Sequence, residues 1–440
     1  MANRYFDNDM PDFVDETPGA EKEGEEVVGQ GTEESLVRLL CMPYHSFSEN
    51  LKRAALDLKE TVVIETWGFS RQDVQDFTVY TGTLGTAFLL FKSYQVTNNT
   101  SDLELACQIV KACDSASEKI KKTCDDASPH SGNRTSLKLH KKASFMTRDV
   151  TLFGRAGVYA LGAVISKHMS DSKMLDYYLT KFKEIELTKD LPDELLFGRA
   201  GFLWACSYLN KHIGEGTIPS SHMRVVADEI IAKGRKMGSR DRCPLMYEFK
   251  GKKYLGTAHG LAGIMHVLMD LELKSDERED VKATLKYMIN NRLPSGNYPV
   301  VEGDDNDVLV HWCHGAPGIA LTLVKAAQVF GDKEFLEAAI DAADVVWNRG
   351  LLKKVGICHG ISGNTYVFLS LYGLTMKMEY LYRAKAFASF LLDRAHKLIS
   401  SGEMHGGDTR YSMYEGLGGM AYLFLDMVQP TEAKFPGYEL

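Results

Sequence analysis

Uncharged stretches alternate with polar, amphipathic stretches along most of the chain. Residues 158–165 and 319–324 are of the first kind, whereas residues 224–237 and 333–347 carry apolar side chains at every third or fourth position. This spacing matches one face of an α-helix and differs from the strict alternation of a strand. The sequence therefore predicts an all-α fold in which apolar inner helices pair with amphipathic outer helices.

Glycine turns mark the start of every uncharged run. The motif Gly-x-x-Gly occurs seven times, beginning at Gly82, Gly154, Gly198, Gly260, Gly315, Gly360 and Gly416. Helix pairs repeated in this way bury their apolar faces only by stacking on one another, and a closed ring leaves no end exposed. We expect one seven-fold double α/α barrel, or toroid, over residues 35–440, with all seven inner helices starting at the same end of the ring.

The formal net charge of −8 is concentrated at the start of the chain. Residues 1–34 contain eleven acidic and two basic residues, so the rest of the 440-residue chain is nearly neutral. We expect this acidic stretch to be a largely disordered lead that precedes a single folded domain. Because the domain has no basic stripe, the sequence gives no reason to expect a nucleic-acid partner.

The chain opens without the basic region and apolar core of a signal peptide. We therefore expect a cytoplasmic protein, with peripheral attachment to the plasma membrane or a nuclear location as alternatives. Residues 355–376 contain no Asp, Glu, Lys or Arg, but a glycine turn, Cys358 and His359 interrupt them, which favours a buried helix over a membrane span. In a reducing compartment the eight cysteines are expected to be thiols or metal ligands.

The two residues before each glycine turn occupy equivalent positions around the predicted ring. In the first three copies, among them Tyr80-Thr81, we interpret them as packing residues. In the last four copies they are Ala258-His259, Cys313-His314, Cys358-His359 and Tyr414-Glu415. Since equivalent positions in adjacent copies lie side by side, we expect the two cysteine thiols to be neighbours. Two thiolates and one imidazole, from either adjacent histidine, suit zinc and leave a fourth position for water or substrate.

Three segments carry motifs of a known family. They are His311-Trp-Cys-His-Gly-Ala-Pro-Gly318, Gly356-Ile-Cys-His-Gly360 and the closing Phe435-Pro-Gly-Tyr-Glu-Leu440. Together with the opening segment Arg4-Tyr-Phe-Asp-Asn, they resemble the lanthionine synthetase C-like proteins, and among these the eukaryotic LanC-like branch. The acidic opening is most similar to that of plant members.

This resemblance implies a seven-fold double α-barrel with one zinc ion. Bacterial members add a cysteine thiol to dehydroalanine or dehydrobutyrine, whereas eukaryotic members bind glutathione and are associated with adding it to such residues in proteins. By motif position, the implied zinc ligands are Cys313, Cys358 and His359, and His259 is the implied acid/base group.

Glutathione carries two carboxylates, which suit cationic side chains at the ring mouth. The resemblance implies contacts from Lys353 and Arg4, and Asp408 is the nearest match to a further contact in a segment that departs from the animal pattern. Arg155 and Arg199 lie within glycine turns, where burial against carbonyls or acids is the simpler interpretation.

Zinc-dependent thiol addition is the first functional hypothesis. A thiol with a pKa near about 8.5 is mostly protonated at neutral pH, and coordination to zinc removes that proton. Addition to a dehydroamino acid then needs a proton, for which His259 is the candidate, although a histidine bonded within the core is the alternative interpretation. The expected partners are glutathione or a related thiol and a protein or peptide that contains dehydroalanine or dehydrobutyrine.

Two other functions stay open at the level of the sequence. A non-catalytic, glutathione-binding signalling protein, peripherally associated with the plasma membrane, would carry the same zinc site without turnover. A carbohydrate-processing toroid is disfavoured because glycosidases need two carboxylates across a cleft, and the predicted mouth offers one clear candidate, Glu415.

Overall fold

The computed structural model describes residues 4–14, 33–69, 73–126, 154–239 and 242–440. Within these ranges the secondary structure is helical, with a few isolated β-bridges. The helices are α1 Glu33–Cys41, α2 Tyr44–Val63, α3 Thr83–Thr97, α4 Thr100–Asp126, α5 Arg155–His168, α6 Ser172–Lys183, α7 Arg199–His212, α8 Ser220–Met237, α9 Leu261–Leu268, α10 Ser275–Asn290, α11 Ala316–Phe330, α12 Lys333–Arg349, α13 Ile361–Thr375, α14 Met378–Ser401 and α15 Leu417–Asp426. The prediction of an all-α fold is confirmed.

Seven of these helices form the inner wall, and each begins at one of the seven glycine turns. The first glycine of each turn is the N-cap of α3, α5, α7, α9, α11, α13 or α15. Gly315 caps α11 with a φ of 110°, which a residue with a Cβ rarely adopts. The inner helices are buried on nearly every side, which explains why the runs that follow their glycine turns are uncharged.

The inner helices form a closed ring. Each contacts the next one along the chain, and α15 returns to contact α3. Outer helices α4, α6, α8, α10, α12 and α14 each pack against the inner helix that precedes them, and α2 packs against α15. The seven-fold double barrel is therefore confirmed, with the seventh outer helix supplied from the start of the chain.

The order of helices within one repeat differs from the expected order. The sequence analysis grouped each outer helix with the inner helix that follows it, but the tighter pairs join each inner helix to the outer helix after it. Connections from inner to outer helices are short, as between α11 and α12, whereas α12 and α13 are separated by residues 350–360. A short connection makes consecutive helices antiparallel neighbours, so it selects the hairpin.

Residues 4–14 lie against the outside of the ring. The Phe6 N–H donates to the Leu351 carbonyl at 2.7 Å, and the Asn8 side chain donates to the Trp347 carbonyl at 2.8 Å. Met10 is buried. Residues 15–32 of the predicted acidic lead fall outside the described residues, so the extent of that lead stays a prediction.

The C-terminal segment, residues 427–440, enters the ring, where residues 435–438 are buried. Trp204 of α7 donates its indole N–H to the Tyr438 carbonyl at 2.8 Å, and the His266 ring of α9 stacks on Tyr438 with centroids 3.8 Å apart. Ser370 of α13 donates to Glu439 at 3.0 Å. The end of the chain thus fills space that seven inner helices alone would leave between them.

The long uncharged run at residues 355–376 contains a turn followed by α13. That helix has 15 residues, and most of its side chains are buried by the rest of the ring. None of the helices in the described ranges combines the length and the apolar character needed to cross a bilayer.

Candidate metal centre

A belt of backbone hydrogen bonds joins equivalent positions of neighbouring repeats at the mouth of the ring. The Ala258 N–H donates to Cys313 at 3.3 Å, the Cys313 N–H to Cys358 at 3.3 Å, the Cys358 N–H to Tyr414 at 2.9 Å and the Tyr414 N–H to Tyr80 at 3.1 Å, each time to the carbonyl oxygen. These five residues stand two positions before the first glycine of their turns. The belt therefore holds the two cysteines side by side.

Three potential metal ligands converge on this belt. The Sγ atoms of Cys313 and Cys358 and a ring nitrogen of His359 all lie within 4.8 Å of one another, and both cysteines are buried. Zinc bonds of about 2.0–2.3 Å place tetrahedral donors at this kind of spacing. His314 is not in the cluster, because its ring packs beside Tyr254 with centroids 5.5 Å apart. The donor set therefore fits zinc, with His359 as the imidazole.

The buried environment of these donors disfavours the negatively charged thiolate form of the cysteines unless a cation is present. Burial raises the pKa of the Cys358 thiol well above its usual value, and the neighbouring Cys313 raises it further. Burial alone would lower the pKa of His359, but the contact with Cys358 raises it overall. A divalent cation supplies the positive charge that lets buried thiols release their protons.

His259 is held by a buried carboxylate. Its Nδ1 lies 2.6 Å from an Oε of Glu194, whose side chain is 2% exposed. The Glu194 carboxylate also accepts the backbone N–H groups of Leu196 at 3.1 Å and Phe197 at 2.7 Å. With Nδ1 engaged, Nε2 is the ring nitrogen that can exchange a proton with a substrate.

Aromatic rings fix the plane of the His259 imidazole. Phe249 stacks on it with centroids 4.7 Å apart, and Phe197 stacks on it at 5.8 Å. The centroid of the His314 ring lies 6.3 Å from that of the His259 ring. Because His314 directly follows Cys313, the side chain of His314 lies between His259 and the loop that carries Cys313. The histidine is partly exposed and oriented rather than buried among core side chains.

The first described residues bring Arg4 next to Lys353. The Lys353 N–H donates to the Arg4 carbonyl at 3.0 Å, and Tyr5 forms a β-bridge with Leu352. The Lys353 ammonium lies 5.2 Å from the centre of the Phe6 ring. Two basic residues that are 349 positions apart in sequence are thus paired through their backbones.

Asp408 lies on the same side of the mouth as His359. Carboxylate oxygens of Asp408 and Glu415 and a nitrogen of His359 lie within 4.8 Å of one another, and Lys354 is 3.9 Å from Asp408. Asp408 therefore neighbours both His359 and a lysine.

Two residues at the site were not singled out as functional from the sequence. Glu194 stands four positions before its glycine turn, outside the two positions that we compared between repeats. Tyr80 was interpreted as packing, and it does stack on Tyr414 with centroids 4.8 Å apart. Burial and then the neighbouring Cys358 and Cys313 raise the pKa of Tyr80, so its hydroxyl also faces the sulfurs. The register of the repeat was the signal that could have identified Tyr80.

The two arginines within glycine turns are buried and paired. Arg155 donates to Glu118 and to Tyr159. Arg199 is 1% exposed and bonds to Glu229 and to the carbonyl oxygens of Thr188, Lys189 and Leu191. Their contacts stabilise the ring and do not point to a role in the site.

The sequence matches the family described as lanthionine synthetase C-like protein over residues 73–440. It is 42% identical over 418 residues to LanC-like protein GCL1 of Arabidopsis thaliana, and the match covers 89% of this chain and 90% of that protein. It is 35% identical over 400 residues to glutathione S-transferase LANCL1 of Danio rerio, covering 87% of this chain and 90% of the relative.

The fold is similar to that of nisin cyclase. The TM-score is 0.59, and the match covers 86% of this chain and 94% of the cyclase chain. At 15% sequence identity this similarity concerns the fold, and it agrees with the closed helical ring. Together with the family match and the two relatives, these observations confirm the resemblance inferred from the motifs: the chain belongs to the lanthionine synthetase C-like protein family.

Proposed function

We propose that this protein is a zinc-dependent thiol transferase that adds glutathione, or a related thiol, to dehydroalanine or dehydrobutyrine residues in proteins or peptides. The observation that carries the proposal is the convergence of Cys313, Cys358 and His359 at the mouth that also presents the His259–Glu194 pair. A relative named as a glutathione S-transferase supports glutathione as the thiol, and nisin cyclase, a fold neighbour, supports the comparison with peptide cyclisation.

The three ligands would hold one zinc ion with a fourth position open. Bound there, zinc supplies the positive charge that keeps a substrate thiol in its nucleophilic, deprotonated form. The burial of both cysteines keeps competing ligands and bulk water away from the sulfurs.

His259 would deliver the proton that completes the addition. The glutathione sulfur forms a bond to the β-carbon of the dehydroamino acid, and the electron pair of the double bond moves to the α-carbon and its carbonyl. The α-carbon then takes a proton from Nε2 of His259, which is replaced by the proton that the thiol released. Glu194 stabilises the protonated imidazole and holds its orientation.

Arg4 and Lys353 would bind the carboxylates of glutathione. Two adjacent cations match a ligand with two carboxylates, and the backbone pairing that joins Arg4 to Lys353 fixes their separation. Asp408, beside Lys354, would accept from the amine of the same ligand.

Metal analysis tests the zinc site. Purified protein is expected to contain about one zinc per chain, and Cys313→Ala and Cys358→Ala are expected to lose it. Cys206→Ala is the matched control, because Cys206 is also a fully buried thiol but lies outside the metal cluster. Full zinc content in the Cys313 and Cys358 variants would contradict the assignment.

Mass spectrometry tests the transfer. A dehydroalanine peptide incubated with the protein and glutathione should gain the mass of one glutathione, and His259→Ala should slow the gain by about 10²-fold or more. His45→Ala, at an exposed histidine, is the control. Equal rates with and without the protein would instead favour the non-catalytic, glutathione-binding alternative.

The location of the protein stays a prediction. A cytoplasmic protein is expected to remain in the supernatant after cell fractionation, whereas a peripheral membrane protein would leave the membrane fraction only in high salt.

A further inference from the structure

We propose that the C-terminal segment, residues 427–440, positions the two metal-binding sulfurs. It contacts a residue next to Cys313 and a residue bonded to Cys358, and it is anchored to three inner helices. This inference rests on the zinc site of the proposed function, and it assigns to the chain end a role in metal retention rather than in filling the ring alone.

The first contact lies behind Cys313. The ring of Phe435 stacks on the indole of Trp312, the residue that precedes Cys313, with centroids 4.7 Å apart and an angle of 13° between the planes. Both side chains are fully buried. Because interiors are close-packed, a displacement of the Phe435 ring leaves Trp312 without its neighbour and frees the backbone that carries Cys313.

The second contact lies behind Cys358. The Tyr414 hydroxyl donates to the Pro436 carbonyl at 2.5 Å, and the Tyr414 carbonyl accepts the Cys358 N–H at 2.9 Å. One tyrosine therefore connects the segment directly to the backbone of the second cysteine. Because the Cys313 N–H donates to the Cys358 carbonyl, both contacts act on a single hydrogen-bonded pair.

The segment is itself held by three inner helices. Tyr438 accepts from the indole N–H of Trp204 at 2.8 Å, and its hydroxyl shares a hydrogen bond with Thr322 at 2.5 Å. Ser370 donates to Glu439 at 3.0 Å. These anchors belong to α7, α11 and α13, so the segment fixes the positions of Phe435 and Pro436 relative to the whole inner wall.

Groups that orient metal ligands without binding the metal commonly change metal affinity by about 10–100-fold when they are removed. Phe435 and Tyr414 qualify as such positioning residues, since each acts through the backbone of a ligand. A residue with a purely structural role would change the thermal stability of the protein without changing the rate at which zinc leaves.

The first experiment removes the hydroxyl that binds the segment. Zinc release from the loaded full-length protein is followed with a chromogenic chelator in excess, for Tyr414→Phe and for the control Tyr247→Phe. Tyr247 is also buried and donates to a backbone carbonyl, that of Ile230 at 3.2 Å, but it lies outside the belt of hydrogen bonds. We expect release about tenfold faster for Tyr414→Phe and unchanged for Tyr247→Phe; equal rates in the two variants would overturn the proposal.

The second experiment removes the stacked ring. Phe435→Ala is compared with Phe182→Ala, a ring that is equally buried and stacks on Phe202 at 5.2 Å. The cobalt-substituted proteins are examined in parallel, since the sulfur-to-cobalt absorption reports the geometry of both cysteines. We expect faster metal release and altered absorption only for Phe435→Ala, and partial rescue by Phe435→Leu, which keeps apolar volume against the indole.

The outcomes separate this proposal from the proposed function. Parent protein without zinc would refute the metal centre, and with it both proposals. Parent protein that retains zinc, together with Phe435→Ala and Tyr414→Phe variants that release it at the parental rate, would leave the thiol transferase intact and overturn the role of the C-terminal segment. Should Phe435→Ala fail to fold, the milder Tyr414→Phe variant decides.

Discussion

Glu194 carries three hydrogen bonds at once. Its carboxylate accepts from two backbone N–H groups of its own loop and from Nδ1 of His259. These hydrogen bonds restrict the rotation of the Glu194 side chain, and the bond to Nδ1 therefore fixes the orientation of the His259 imidazole. Residues in the loop before a glycine turn therefore matter as much as those within the turn.

Replacing Glu194 by glutamine is expected to slow thiol addition by about 100-fold while leaving the zinc content unchanged. The amide can still accept from the loop, but it stabilises the protonated imidazole less. Steady-state rates on a dehydroalanine peptide, with zinc content measured in the same samples, check this expectation. Glu229→Gln, which changes an acid bonded to Arg199, is the control and should keep the parental rate.

The sequence predicted the residues of this site that occupy equivalent positions in successive repeats. Cys313 and Cys358 occupy the same place in adjacent copies, and the belt of hydrogen bonds makes that equivalence a spatial contact. The repeat alone left His314 and His359 as alternatives, because both follow a cysteine directly. The family resemblance implied His359, and His359 is the histidine that lies beside the two sulfurs. Glu194 had no counterpart in the other copies, so no comparison between repeats could identify it.

Inner helix α13 begins with a backbone approach that only glycine permits. A Cβ at Gly363, in the first turn of α13, would overlap the Ile357 carbonyl oxygen, whereas one at Gly373 near the end of α13 would lie 3.8 Å from the Thr431 carbonyl oxygen. Gly363 therefore has no space for a side chain, whereas Gly373 of the same helix does.

Gly363→Ala is expected to lower the free energy of unfolding by about 2 kcal/mol or more, because the overlap is with backbone that cannot move away. Gly373→Ala should leave it unchanged or raise it by about 0.5–1 kcal/mol, since alanine favours the helix. Denaturant unfolding of both variants measures the difference. Similar effects from the two substitutions would show that close approach at the glycine turn is not what α13 requires.

The repeat predicted seven helical hairpins but not that one of them joins the two ends of the chain. Glycine turns and apolar runs recur with each inner helix, so these could be counted. The outer partner of α15 is α2, which carries no such turn and lies near the other end of the chain. Pairing between elements so far apart in sequence follows from the closure of the ring, which local patterns do not encode.

Helix α2 closes the ring, and a buried ion pair joins it to the first repeat. Lys59 of α2 bonds both oxygens of Asp102 of α4, at 2.8 and 3.0 Å, and Ser93 of α3 donates to the same carboxylate at 2.7 Å. On the other side, the Tyr44 hydroxyl of α2 donates to the Met427 carbonyl at 2.7 Å. Helix α2 is therefore bonded to the first repeat and to the last.

Asp102→Ala is expected to lower the free energy of unfolding by about 3 kcal/mol, because it leaves the buried Lys59 ammonium with the mostly exposed Glu60 carboxylate as its remaining partner. The double variant Lys59→Met/Asp102→Leu should recover much of that loss, since apolar side chains can replace a buried pair at little cost. Denaturant unfolding measures both. An additive or larger loss in the double variant would contradict the role of the pair in closing the ring.

Because the chain end occupies the interior, the two substrates of the proposed reaction would have to arrive at the face where the glycine turns lie. An acceptor residue would then have to enter the mouth of the ring, which a flexible loop or a chain terminus can do readily. A dehydroamino acid in a rigid surface would first require local unfolding of its own domain. Reactivity should consequently follow the local flexibility of the acceptor, with unstructured stretches modified well before folded ones.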